Sequence, residues 1–99
     1  MFQNTIPTPK ISEILREEFM MPFNLSAYAV AKAIDVPVSR IQDILHDKRK
    51  ITVDTSIRLS KLFGVSSRYF LNLQNDIEVR NIEQKNEKEY DQIHQINFA

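Results

Sequence analysis

A single glycine among 99 residues, with apolar side chains recurring every three and four positions and not every two, leaves little besides helices for this chain to form. Tight hairpins need turn glycines that are missing here. The sequence is therefore read as all-α. Ile11, Ile14, Leu15 and Phe19 mark a first helix, with Thr8–Pro9 or Ser12 as start signals, Pro22 as its stop, and Glu13, Glu17 and Glu18 on its wet face. Ser26 caps a second helix with a narrow inner stripe of Ala27, Val30, Ala31 and Ile34. A third, about Val38–His46, is anchored by Ile41 and Leu45 with Ile44 beside them. Thr52 caps a fourth, whose inner face is Ser56, Leu59, Ser60 and Phe63. Gly64 suits its left-handed end. Ser66 is read as the cap of a long fifth helix. Beyond about Glu83 the chain turns polar. The expected organisation is a lead-in over 1–10, a helical domain over 11–82, and a tail over 83–99.

Composition narrows the function classes. Cysteine is absent, which removes disulfides and thiolate metal sites and fits a reducing cytoplasm. No run approaches the ~20 apolar residues of a membrane span, and "MFQNTIPTPK" does not read as a secretory leader. His46 and His94 stand alone, so no metal or other cofactor is expected. No Ser/His/Asp set or phosphate-cradling glycine loop is present, and the chain is read as non-enzymatic. Net charge is zero, but residues 1–64 carry nine Lys/Arg against seven Asp/Glu, while residues 65–99 carry four against six. The positive excess concentrates at Arg40, Lys48, Arg49 and Lys50.

That concentration adjoins a helix-turn-helix pattern. Small Ala31 allows close crossing of helices two and three, Val36 closes the corner, and Pro37 suits the first turn of helix three. Ser39, Arg40, Gln42 and Asp43 then point outward from a helix narrow enough for a DNA major groove. Arg40 can fork onto a guanine edge or clamp a phosphate, Gln42 can pair with adenine, and Asp43 can accept from cytosine. Lys48, Arg49 and Lys50, with Ser26 on the other flank, would hold the sugar-phosphate backbone. A charged, exposed helix is also compatible with a plain solvated face, or with a hairpin that docks a protein and never meets DNA. One such helix reads too few base pairs, so a homodimer is expected. Phe70, Leu71, Leu73 and Ile77 of helix five are its candidate interface, unless all four pack internally.

Four blocks, "EILREEF", "AYAVAKAIDVPVSRIQDIL", "KRKITVDTSIRLSKLFG" and "YFLNLQ", closely resemble the HigA-type antitoxins, also called virulence-associated protein I, of the phage-repressor-like (XRE, Cro/C1) helix-turn-helix proteins. The resemblance spans about Ile11 to Val79. It implies a five-helix phage-repressor-like helix-turn-helix domain with an extended C-terminal helix. It also implies a homodimer that represses its own operon at a palindromic operator and neutralises a HigB-type toxin, similar to the RelE-type mRNA interferases. A free-standing dimeric repressor would carry the same helices. For the toxin surface, Phe2 and Ile6 with helix one are one candidate, and Tyr90, Ile93 and Phe98 in the tail are another. The family's turn glycine is Asp35 here, its "GKRG" loop is Asp47–Lys50, its Gln or Thr after the second cap is Ala27, and Ile11-Ser12 replaces Pro-Gly. Asp tolerates left-handed backbone better than most residues.

Overall fold

The computed structural model describes residues 8–97, whose regular elements are all helices with no strand among them. Phe2, Ile6 and Phe98 lie outside the described residues. The first helix is one run in three windings: α1, Ile11–Ile14, passes into a π-wound stretch, Leu15–Met20, and a 3-10 turn, Met21–Phe23. Pro22 lies inside that last turn, and left-handed Asn24 (φ 55°) ends it. Neither expected start signal caps α1. The Lys10 amide donates to Glu13 Oε1 at 3.1 Å, while Ser12 is buried.

Next come α2, Ala27–Ile34; α3, Val38–Leu45; α4, Val53–Phe63; α5, Tyr69–Lys85; and a short α6, Glu87–Tyr90, within the stretch read as a polar tail. Ser26 and Thr52 cap as expected: each hydroxyl accepts from the amide three residues on, at 3.0 and 3.3 Å. Gly64 is left-handed (φ 72°) at the end of α4. Ser66 opens a turn ahead of α5 and is not its cap: its Oγ accepts from the Arg68 amide at 3.3 Å and its carbonyl from Tyr69 at 2.9 Å.

Leu15, Met20, Val30, Ala31, Ile34, Ile41, Ile44, Ile51, Leu59 and Phe70 form the core. In α3 the deep anchors are Ile41 and Ile44, and Leu45 is only half-buried, because positions 41 and 44 lie one turn apart on the inner face. Phe70 corrects the interface expectation. Its side chain is 0% exposed within one subunit and packs edge-on to Phe19 at 5.0 Å and Tyr69 at 5.2 Å. It is a core residue with no surface left for a second copy. The distal half of α5 and α6 run out from this core, so the radius of gyration is 17.0 Å where a compact chain of this length would have about 13 Å.

Candidate nucleic-acid interface

The α2–α3 corner is built from the backbone outward. Asp35 adopts φ 58°, ψ 54°, the left-handed conformation otherwise left to glycine. That geometry lets the Val36 amide reach back to the Ala31 carbonyl at 3.0 Å. Pro37 follows in extended conformation (φ −60°, ψ 142°) as the residue before α3, where a missing amide leaves no bond unmade. With Ile41 and Ile44 turned inward, Ser39, Gln42, Asp43 and His46 recur at i, i+3, i+4 and i+7 on the opposite face. Ser39, Gln42 and His46 are exposed, and Asp43 is half-buried.

The four expected base-reading residues divide into two pairs. The side chains of Ser39 and Gln42 make no hydrogen bond among the described residues. Arg40 instead donates to Asp54 Oδ2 at 3.1 Å, and the same oxygen accepts from Arg58 Nε at 3.0 Å. Arg58 Nη1 also donates to the Ile34 carbonyl at 2.8 Å. One carboxylate at the start of α4 thus joins the first turn of α3 to the end of α2. Asp43 lies 3.7 Å from Arg49 in a looser ion pair.

The basic loop also divides. Left-handed Asp47 (φ 62°) ends α3 and lets the Lys48 amide donate to the Asp43 carbonyl at 2.8 Å. Lys48 and Arg49 are exposed beside that end, and Lys48 has no ion pair among the described residues. Lys50 departs from the expected cluster. Its ammonium sits 2.6 Å from Glu78 of α5, across a cleft of about 550 Å³ that Ile11, Ile44 and Ile77 line. Ile77 therefore faces its own subunit's cleft, while Leu71 and Leu73 are half-buried. Ser26 is exposed at the start of α2, its hydroxyl occupied by the capping bond.

Sequence reasoning missed the side chains that hold α3 in place. Arg16 donates to the Leu45 carbonyl at 2.7 Å, satisfying an orphan acceptor at the helix end. Gln74 grips both backbone groups of Ile51, at 2.8 and 2.9 Å. Ser12 donates to Asp47 Oδ1 at 2.6 Å, and Lys10 lies 3.5 Å from the other oxygen. That hydrogen bond, with the positive charges of Lys10 and Arg16, holds the Asp47 carboxyl below the usual range. None of these contacts leaves a local spacing signal, in contrast to the i, i+4 pair of Asp54 and Arg58. No group of three or more His, Asp or Glu able to hold a metal occurs among the described residues.

A helix-turn-helix family model matches residues 11–70. Virulence-associated protein I of Dichelobacter nodosus is 43% identical over 82 residues, covering 83% of this chain and 76% of that protein. The solved Pseudomonas aeruginosa antitoxin HigA with the higBA promoter is 32% identical with a TM-score of 0.80, covering 93% of this chain and 100% of that one. Antitoxin GraA in complex with its operator is 30% identical with a TM-score of 0.82, covering 100% of both chains.

Proposed function

This chain belongs to the helix-turn-helix family, among its HigA-type antitoxins, and from that premise we propose that it is an operator-binding repressor that also neutralises a toxin. The family is one of DNA-binding regulators and antitoxins, not of enzymes. The observation that carries the DNA reading is the outer face of α3, where Ser39 and Gln42 stand free and Lys48 and Arg49 flank the helix end. Likeness to GraA, solved with its operator, supports the same reading.

In this proposal Ser39 and Gln42 meet base edges directly. Arg40 joins them while aimed by Asp54, and Asp43 joins from a looser ion pair that DNA contact can rearrange. Lys48 and Arg49 hold phosphates, as do the first-turn amides of α2 beside Ser26. Lys50 braces the loop against α5. Two copies present their α3 helices about 34 Å apart to a palindrome, joined through α5, where Leu71 and Leu73 keep surface and Ile77 contributes less. The toxin is a HigB/RelE-like mRNA interferase, and the place of action is the cytoplasm. No described helix is long and apolar enough to cross a membrane.

A mobility-shift titration tests the DNA role, using the DNA upstream of the protein's own gene against a scrambled duplex of equal length. The upstream DNA should bind at least about a thousandfold tighter at physiological salt. Equal binding of both duplexes would refute operator recognition, and binding to neither would return the hairpin to the protein-docking alternative.

A further inference from the structure

An apolar patch lies away from α3, where the π-wound stretch gives way to the 3-10 turn. Met21 is 64% exposed, Phe23 68%, and Tyr69 at the start of α5 38%. Phe23 and Tyr69 share one aromatic base: Phe23 lies 6.4 Å from Phe63, Phe63 lies 5.2 Å from Phe19, and Phe19 lies 5.7 Å from Tyr69. Seated on the half-buried rings of Phe19 and Phe63, such large side chains in water are the mark of a surface that meets a partner.

Charge narrows the partner. Glu17 and Glu18 precede the patch in the π-wound stretch, both exposed and in no ion pair among the described residues. Arg16 is turned away to the Leu45 carbonyl. Arg68 adjoins Tyr69 in the chain, and with Glu17 and Glu18 it leaves one negative charge in sum. The patch begins nine residues past Ser12, which touches the end of α3 through Asp47, and lies further along the same helical run. A net negative charge disfavours phosphate here. A protein with cationic side chains around an apolar knob fits it.

An enzyme that cleaves mRNA must carry cations to hold the backbone of its substrate. We infer that Met21, Phe23 and Tyr69, with Glu17 and Glu18, form the docking surface for the cationic toxin, an inference that rests on the antitoxin reading. Lying off the α3 face, this surface lets one subunit hold operator and toxin together.

The test co-expresses the full chain with the protein encoded next to its gene, reading growth, co-purification and operator mobility shift. Glu17→Lys/Glu18→Lys and, separately, Phe23→Ser should weaken co-purification at least about tenfold and lose growth rescue, with the operator shift unchanged. Variants that still rescue growth would overturn this surface while leaving the antitoxin role intact. Variants that lose the operator shift would also overturn it, assigning the patch to a second copy or to DNA. Failure of the unmodified chain to rescue growth or co-purify would overturn the antitoxin role, and this surface with it.

Discussion

Asp54 decides what Arg40 can do, and Asp54→Asn isolates that decision. The carboxylate lies 3.1 Å from Arg40 and 3.0 Å from Arg58. Coulomb attraction at such a separation is about 1.3 kcal/mol in water and about 5 kcal/mol at an effective dielectric of 20. Asp54 keeps 58% of its side chain exposed and Arg40 29%, so solvent screening brings the net worth of each pair to about 0.2–1 kcal/mol. The substitution should therefore lower folding stability by no more than about 1–2 kcal/mol. Its larger effect falls on DNA. Removing the carboxylate adds one effective positive charge beside the groove, steepening the salt slope by about 0.9. It also frees the guanidinium from its aim. If Arg40 reads a base edge from this position, about 1–3 kcal/mol of discrimination is at stake, or about 5- to 150-fold in the operator-to-scrambled ratio. Fluorescence-anisotropy titrations over a salt series measure slope and ratio together. Asp54→Asn should bind scrambled DNA more tightly while the ratio falls, and Arg40→Ala should lower the ratio without steepening the slope. Equal tightening on both duplexes would refute the orienting role of Asp54, and an unchanged ratio in Arg40→Ala would remove Arg40 from base reading.

Three further outcomes test other parts of the molecule. Lys48→Ala and Arg49→Ala should each weaken binding to operator and scrambled DNA alike and flatten the salt slope by about 1, whereas Lys50→Ala, which loses only its Glu78 partner, should leave the slope unchanged in the same titration. Asp47, held low by Ser12, contributes stability that is fully present above its unfolded pKa and is lost as pH falls through its folded value. Ser12→Ala should cost about 1 kcal/mol near neutrality and flatten the acid limb, read by urea unfolding at stepped pH. Ser60 Oγ is buried without a hydrogen-bond partner among the described residues, so Ser60→Ala should be neutral or stabilising by up to about 1 kcal/mol, and a clear loss in thermal unfolding would reveal a contact not accounted for.

Features decided within four residues of chain were the legible ones. Ser26 and Thr52 cap because a hydroxyl reaches the amide three positions on, and Asp35 and Gly64 take left-handed backbone where their helices end. The outward face of α3 followed from the same periodicity. Phe70 reads as either interface or core because α5 is apolar on more than one side, and only the approach of Phe19 from the first helical run selects which side is covered. The π winding of Leu15–Met20 leaves no mark in the spacing of apolar residues. Lys50 reads as one of three adjacent cations until Glu78, 28 positions away, is brought against it.

The illegible contacts share one logic. Arg58, Arg16 and Gln74 reach across from α4, the first helix and α5 to the carbonyls of Ile34, Leu45 and Ile51. Those carbonyls lie at the end of α2, the end of α3 and the loop beyond it. Each bond satisfies an acceptor left over where a helix or loop stops, so together they hold both ends of α3 through backbone and not through its outer side chains. The tilt of that helix is thus set from behind by long side chains on non-adjacent elements. Its outer residues carry little structural duty, and Ser39 and Gln42 can change without moving the corner. A frame built in this way can keep its geometry while the sequence it reads is altered.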